Sequence, residues 1–322
     1  MAGPEVSVTG GEADSRVRAS VRRLCDIAGA RVVEGKVSAA VRLVDLGAGL
    51  VHVDSGPEAG TRLEVPDDEE RLLDLILAAL PVRAVRVGVV GAHGSAGATI
   101  LAVSLAQVPV RSGIPVTLVD LDPVGGAVEV IVGVERDPGT RWADLRRQDG
   151  SLLPDRLVTS LPAFEHVRLL GGDLRGGASE TDPVVGRAVR AVSQASDVVV
   201  VDLPRSVLAP GPEGPGLLDD LDHLVVVAAA TLRGGAAASA AARRLGEMTG
   251  GPQVSLVVRR RPGEDVLPEE IAEASGLDLV CVARHLRSLD ADVEHGVLPG
   301  ARRRTIPRVA AEQVAGALGL EA

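Results

Sequence analysis

Apolar residues come in short, interrupted groups over residues 1–83, and gather into continuous runs from residue 85 onward. In the first stretch, Val6-Ser7-Val8-Thr9 reads as a strand. Residues 14–28 read as an amphipathic helix with Val17, Val21, Leu24 and Ile27 on one side. Arg31-Val32-Val33, Leu50-Val51-His52-Val53 and residues 61–65 are second, third and fourth strands, and residues 67–80 a closing helix. That helix carries Leu72, Leu73, Leu75, Ile76 and Leu80 on a broad apolar face and stops at Pro81. Strands alternating with helices predict a small, parallel α/β unit.

The second stretch predicts strands at 85–90, 116–121, 166–170, 197–202, 222–229, 253–259 and 278–282. Helices are expected at 99–111, 183–195, 232–247, 267–275 and from about 306 to 319. Val198-Val199-Val200-Val201 and Leu224-Val225-Val226-Val227 have no polar alternation, as strands covered on both faces require. The fold class is therefore α/β, a mostly parallel doubly wound sheet at 84–322 preceded by a small α/β domain at 1–83. The Pro- and Gly-rich segment 210–215 reads as a surface loop.

Composition narrows the chemistry. Of 322 residues, 46% are apolar, yet aromatics are limited to Trp142 and Phe164, so the cores must be packed from Val, Leu, Ile and Ala. A net charge of −10 without a long basic stretch disfavours non-specific nucleic-acid binding, which needs a row of cations. Cys25 and Cys281 are too few and too far apart for a disulfide framework or a zinc site. His52, His93, His166, His223, His285 and His295 show no metal-ligand spacing. The first residues lack a secretory pattern and no apolar run is long enough to span a bilayer, so a cytoplasmic protein is expected. Arg302-Arg303-Arg304 reads as a solvated loop, and the last helix as one packed on its domain, so any membrane association is expected to be indirect.

The candidate chemistry lies in the loop after the strand at 85–90. Gly91-Ala92-His93-Gly94-Ser95-Ala96-Gly97-Ala98-Thr99 has the strand, glycine-rich loop and helix setting of a phosphate cradle. A helix opening near Thr99 would aim its N-terminal N–H groups and dipole at a phosphate. Two later strands end in Asp120-Leu121-Asp122-Pro123 and in Asp202-Leu203-Pro204, at the edge where ligands collect in parallel α/β sheets. Thr99 with Asp122 and Asp202 is the candidate magnesium set, and Asp122 the candidate catalytic group. The only lysine of the chain, Lys36, is far from this loop in sequence, and Ala98 stands where a P-loop lysine belongs.

In this order the motifs resemble the deviant Walker A family of MinD and ParA ATPases, whose loop reads Lys-Gly-Gly-x-Gly-Lys-Thr where this chain has His93-Gly94-Ser95-Ala96-Gly97-Ala98-Thr99. Residues 120–126, 141–145, 201–205 and 268–273 look similar to the CpaE/TadZ branch, including the septum-site-determining Ssd proteins of actinobacteria. The resemblance implies ATP or ADP with magnesium as ligands and residues 93–99 as the nucleotide cradle. It also implies a degenerate receiver-like domain at 1–83, with Asp54 near the phospho-acceptor position but no lysine after the last strand. In that family the first loop lysine reaches the nucleotide of a partner subunit in a dimer, and the second bridges the β- and γ-phosphates. An Asn that helps to recognise adenine is replaced here by Arg259.

A missing cation beside a triphosphate removes a charge-assisted contact of about 1.5–3 kcal/mol, and costs more in a phosphoryl-transfer transition state. The expected function is spatial regulation, in septum-site determination or Flp/Tad pilus positioning, with protein partners at septum, pole or secretion machinery and weak or absent hydrolysis. Two alternatives stay open: an active ATPase with Arg205, Arg259 or a partner's arginine in place of the lysine, and a nucleotide-free interaction scaffold.

Overall fold

The computed structural model describes residues 4–13, 15–56, 58–148, 150–209, 216–248 and 250–321. The expectations that fell on the first three residues, on Asp14 and on the loop 210–215 lie outside them. The chain forms two compact units, Met1–Val82 with Asp149–Arg156, and Arg83–Gln148 with Leu157–Ala322.

In the first unit β1 (Glu5–Gly10), β2 (Arg31–Glu34), β3 (Val41–Gly47), β4 (Leu50–Ser55) and β5 (Arg62–Glu64) form one sheet in the order β2-β1-β3-β4-β5. This is the order of a flavodoxin-like sheet. Only β2, β1 and β3 are mutually parallel, however, while β4 and β5 return antiparallel. The fully parallel expectation fails because of β3, whose alternation of Val41, Leu43 and Asp45 inward gives no long apolar run. A tight turn with Gly47, Ala48 and Gly49 all at positive φ then folds β4 back on β3. The helix Arg16–Ala28 starts at Ser15, whose hydroxyl accepts the Arg18 N–H, and stops at Gly29 in the left-handed region. It buries Val17, Val21 and Leu24 against the sheet, while Ile27, expected on the same side, is 47% exposed.

The extra strand also moves the acidic groups. Asp54 lies within the fourth, antiparallel strand and pairs with Arg42 at 2.8 Å, so it does not end the third parallel strand as expected. Asp45 holds that place, buried, accepting the Ser15 hydroxyl at 2.5 Å and the Gly47 N–H at 2.8 Å.

The second unit is built on β6 (Val85–Gly91), β7 (Val116–Asp120), β8 (Ala163–Phe164), β9 (Val167–Leu170), β10 (Val198–Leu203), β11 (His223–Ala229), β12 (Gln253–Arg260) and β13 (Asp278–Arg284). They lie in the order β13-β12-β11-β6-β10-β7-β9-β8, parallel except for the short β8. Every residue of β7 and β10 is buried, which explains why their sequences lack alternation. Gly88 in β6 is a packing requirement: a Cβ there would lie 2.6–3.0 Å from the side chains of Leu221, Leu203 and Leu224.

The helix Ala98–Val110 is buried almost all round, sharing a core with Val87, Val89, Leu118 and Val200 from the sheet and Ala311 and Val314 from the helix Ile306–Ala317. That last helix therefore packs on its domain, as its weak amphipathic pattern suggested. Among the described residues no helix is long and apolar enough to cross a membrane. Strand order reverses around β6: the chain leaves it for β7 on one side, then returns to fill β10 and β11 on either flank. Ligands collect at the C-terminal ends of strands at such a switch point.

Candidate functional site

The loop from Gly91 to Gly97 crosses that end of the sheet. It is tied down by its own backbone, with the Ala92 N–H donating to the Val227 carbonyl at 2.9 Å. Ser95 and Gly97 both take positive φ, 58° and 105°. The second is a conformation that glycine adopts without strain, and it delivers the chain into the helix Ala98–Val110. Gly97 occupies the N-cap, so no side chain satisfies the first N–H groups, and they face the cavity beside the loop. The cavity measures about 650 Å³ and is lined by residues 93–100, by Asp120, Asp122 and Asp202, and by Arg205 and Arg259.

Each replaced cation has a distinct fate. Ala98, in place of the P-loop lysine, packs half-buried against the core and offers no polar atom. His93 is anchored to the protein: its Nε2 accepts the Ala229 N–H at 3.0 Å and its Nδ1 lies 2.9 Å from the Gly94 carbonyl. Both contacts together need a neutral imidazole with the proton on Nδ1, so the ring adds no positive charge to the cradle. Arg259, at the end of β12, donates from its guanidinium to the Ser95 carbonyl at 2.9 Å and is half-buried beside the loop. Its pKa lies below the usual guanidinium value, chiefly through burial and next through the Arg261 charge.

Three carboxyls stand opposite. Asp202 pairs in register with Asp120 across β10 and β7, and the Leu121 N–H donates to the Asp202 carbonyl at 3.1 Å. The Thr99 hydroxyl hydrogen-bonds the Asp202 carboxyl, joining the helix start to the strand end. Burial above all, with the Asp120 charge adding, pushes Asp202 up to about 7. Asp120 is likewise pushed up to about 7 by burial, against the opposing hydrogen bond from the Asp122 N–H at 3.0 Å. Asp120 is 2% exposed and its Oδ2 has no hydrogen-bond partner among the described residues. Asp122 is nearer the surface, its Oδ1 accepting the Val124 N–H at 2.9 Å.

The structure thus gathers residues 93–99, Asp122 and Asp202 around one cavity, as their order in the sequence suggested. Two further residues reach Asp120 in a way the sequence did not show. Trp142 is fully buried and donates from Nε1 to the Asp120 carbonyl at 2.8 Å, bracing the strand end. Glu129 is 1% exposed with both carboxyl oxygens unpartnered, and Gly171 is needed opposite it, since a Cβ there would lie 1.8 Å from Glu129 Oε1. Only the fold brings these residues to Asp120.

Burial, with smaller contributions from neighbours including Asp120 and Asp173, pushes Glu129 up to about 7. The folded chain therefore binds a proton there that the unfolded chain releases near pH 4, and the stability so held is lost as pH rises through about 7. Glu129→Gln cannot ionise. Its thermal midpoint relative to the parent is expected to climb between about pH 5 and about pH 8. A constant difference across that range would contradict the assignment.

Among the described residues, no three Asp, Glu, His or Cys side chains converge closely enough to hold a metal unaided. A magnesium ion here would take Thr99 and one carboxylate and draw its remaining ligands from phosphate oxygens and water, as that small octahedral ion prefers. The cluster of carboxyls facing an uncapped helix N-terminus, with the unpartnered Asp120 Oδ2 behind it, fits such a shared ion.

The second unit has the fold of the MinD/ParA-type P-loop ATPases. Solved structures that share it include the MinC:MinD cell division protein complex of Aquifex aeolicus, with TM-score 0.59, 16% identity and coverage of 74% of this chain and 97% of that one. The ParA family ATPase of Chlorobium tepidum TLS gives TM-score 0.57 at 16% identity over 74% of this chain and all of that one. The septum site-determining protein MinD of Pyrococcus horikoshii OT3, complexed with Mg-ADP, gives 0.54 at 16% identity over 72% and 95%. By sequence the chain is similar to the uncharacterized proteins MT3760 and Rv3660c of two Mycobacterium tuberculosis strains, 34% identical over 232 residues that make up 72% of this chain. It spans 63% of the length of those relatives. No family model matches the chain.

Proposed function

We propose that this chain is a MinD-like spatial regulator whose cradle binds adenine nucleotide weakly and turns it over slowly or not at all. The observation that carries this reading is the pairing of a retained cradle with a missing charge. Residues 91–97 and the uncapped helix start keep the backbone form that receives phosphate, while Ala98 turns to the core and His93 to Ala229. Backbone amides and a helix dipole attract phosphate without help, but a phosphoryl-transfer transition state depends on fixed cations. Positioning other machinery through surfaces needs binding, or a change of shape on binding, more than turnover. The fold shared with cell-division MinD and with ParA ATPases supports that role, and septum-site determination or Flp/Tad pilus positioning is the process we infer from the motif resemblance. We read the first unit, Met1–Val82 with Asp149–Arg156, as a docking domain of degenerate receiver type recruiting protein partners.

Calorimetry on the purified chain with ATP and ADP, with and without magnesium, tests this together with a phosphate-release assay. Binding is expected, magnesium should strengthen it, and phosphate release should stay near background. Rapid magnesium-dependent release would overturn the reading, and no heat with any nucleotide would replace it by a nucleotide-free scaffold.

One observation favours an active enzyme as a second reading. Arg259 already reaches the loop, donating to the Ser95 carbonyl, and carries a charge that Ala98 lacks. On that reading Arg259→Ala abolishes both binding and release, whereas on the first it weakens binding only modestly.

A further inference from the structure

We propose that the open edge of β13, with the arginine-lined groove beside it, is a docking site for an acidic peptide strand. β13 is the last strand of its sheet, and among the described residues no strand pairs with its outer side. A strand so placed offers a row of main-chain donors and acceptors to any extended segment. A groove of about 790 Å³ lies there, far larger than one small anion needs, and wraps the end of the strand from Val282 to His285.

Its chemistry is one-sided. Arg260 and Arg261 enter from β12 and the turn after it, Arg284 from β13 and Arg304 from the loop before the last helix. None of these four guanidinium groups forms an ion pair among the described residues, and no carboxylate lines the groove. The nearest acidic side chains are engaged or set aside: Glu264 accepts the Arg261 main-chain N–H at 2.7 Å, and Asp290 lines the neighbouring cavity instead. His285 feels the same excess, its pKa lowered by burial and then by the Arg261 and Arg259 charges. The helix Ile306–Ala317 also opens into the groove, and its N-cap Thr305 gives its hydroxyl to the Arg302 carbonyl at 2.9 Å, leaving the helix start without a side-chain cap. In a chain of net charge −10, so much uncompensated positive charge in one place marks an anionic occupant.

The occupant is a peptide because two of the few exposed large aliphatic side chains stand among the arginines. Val282 is 38% exposed and Val309 is 42% exposed. Val282 and Arg284, two residues apart, share one face of β13, and Arg260 stands in register beside Arg284. Successive same-face positions of an added strand would therefore meet a valine and then a guanidinium fork, which pairs a carboxylate in a bidentate manner. Single charges on an edge strand serve to prevent aggregation. Here the arginines converge from three separate segments, which that purpose does not require.

The test uses the full chain and a fluorescent peptide of repeated Val-Val-Glu-Glu, which as a strand sets valine and glutamate in turn on each face, followed by anisotropy. The peptide is expected to bind about tenfold or more tightly than its valine–lysine counterpart, and to weaken as salt is raised. Arg284→Glu with Arg304→Glu, checked for an unchanged thermal midpoint, should reduce affinity about tenfold or more. Bound peptide should slow amide exchange over Asp278–Arg284. Binding untouched by the double variant, or binding that leaves exchange along β13 unchanged, would overturn the proposal. So would a preference for anionic lipid vesicles or inorganic polyphosphate over the peptide, lost in the same variants.

Discussion

Replacing Ala98 by lysine is expected to strengthen ATP binding by about tenfold to a hundredfold, the equivalent of one charge-assisted contact of about 1.5–3 kcal/mol. The position is the first residue of the helix Ala98–Val110 and only half-buried, so a long side chain can leave the core and lie along the loop. Everything else the phosphate needs is in place: Gly97 in the left-handed conformation, an uncapped helix start, and Thr99 joined to Asp202. Arg259 sharpens the test, because it donates to Ser95 in the same loop. If its guanidinium already serves the phosphates, lysine at position 98 will add little in the parent and much more in an Arg259→Ala background. A cycle of the two substitutions, read by calorimetry, separates these cases. An unchanged affinity in both backgrounds would show that the loop receives no phosphate.

Trp142→Ala is expected to destabilise the chain by about 3–5 kcal/mol, the cost of emptying a large, fully buried aromatic site. Trp142 is 0% exposed and is one of only two aromatic residues in the chain. Its indole N–H donates to the Asp120 carbonyl and its main-chain N–H to the Gly171 carbonyl at 3.1 Å, so it joins the end of β7 to the segment after β9. Trp142→Phe keeps most of the volume but strands the Asp120 carbonyl, and should cost about 1–3 kcal/mol. Urea unfolding followed by far-ultraviolet circular dichroism measures both, since the substitutions remove the only tryptophan. A loss below about 1 kcal/mol for Trp142→Ala would mean that the pocket collapses around the gap. Because the residue braces Asp120, the alanine variant should also weaken magnesium-dependent nucleotide binding.

These two residues differ in how visible they were. Ala98 could be judged from sequence because a phosphate cradle is local: strand, loop and helix start are contiguous, and glycine spacing reports backbone shape directly. Trp142 could be placed in a motif, but its bond to Asp120 spans a distance along the chain that no periodicity encodes. The long strands of the second unit were legible for a related reason. Burial on both faces removes polar alternation, and β10 and β11 announce themselves as unbroken valine-rich runs. The hairpin of the first unit was not, because β3 is half-buried, mixes Arg42 and Asp45 among its apolar residues, and is joined to β4 by two residues. With β3 unrecognised, Asp54 was assigned to a strand end that Asp45 occupies.

What the sequence alone determined is the set of local commitments: apolar runs that must be buried, glycines that permit one loop shape, and an alanine that cannot carry charge. Which carboxyls share a buried site, where His93 and Arg259 direct their nitrogens, and which strand is left with an open edge were decided only by the tertiary structure. The physical reason is range. Backbone preference and hydrophobic period act over a few residues, whereas desolvation, hydrogen-bond partners and sheet order depend on segments far apart in sequence that meet only when the core closes.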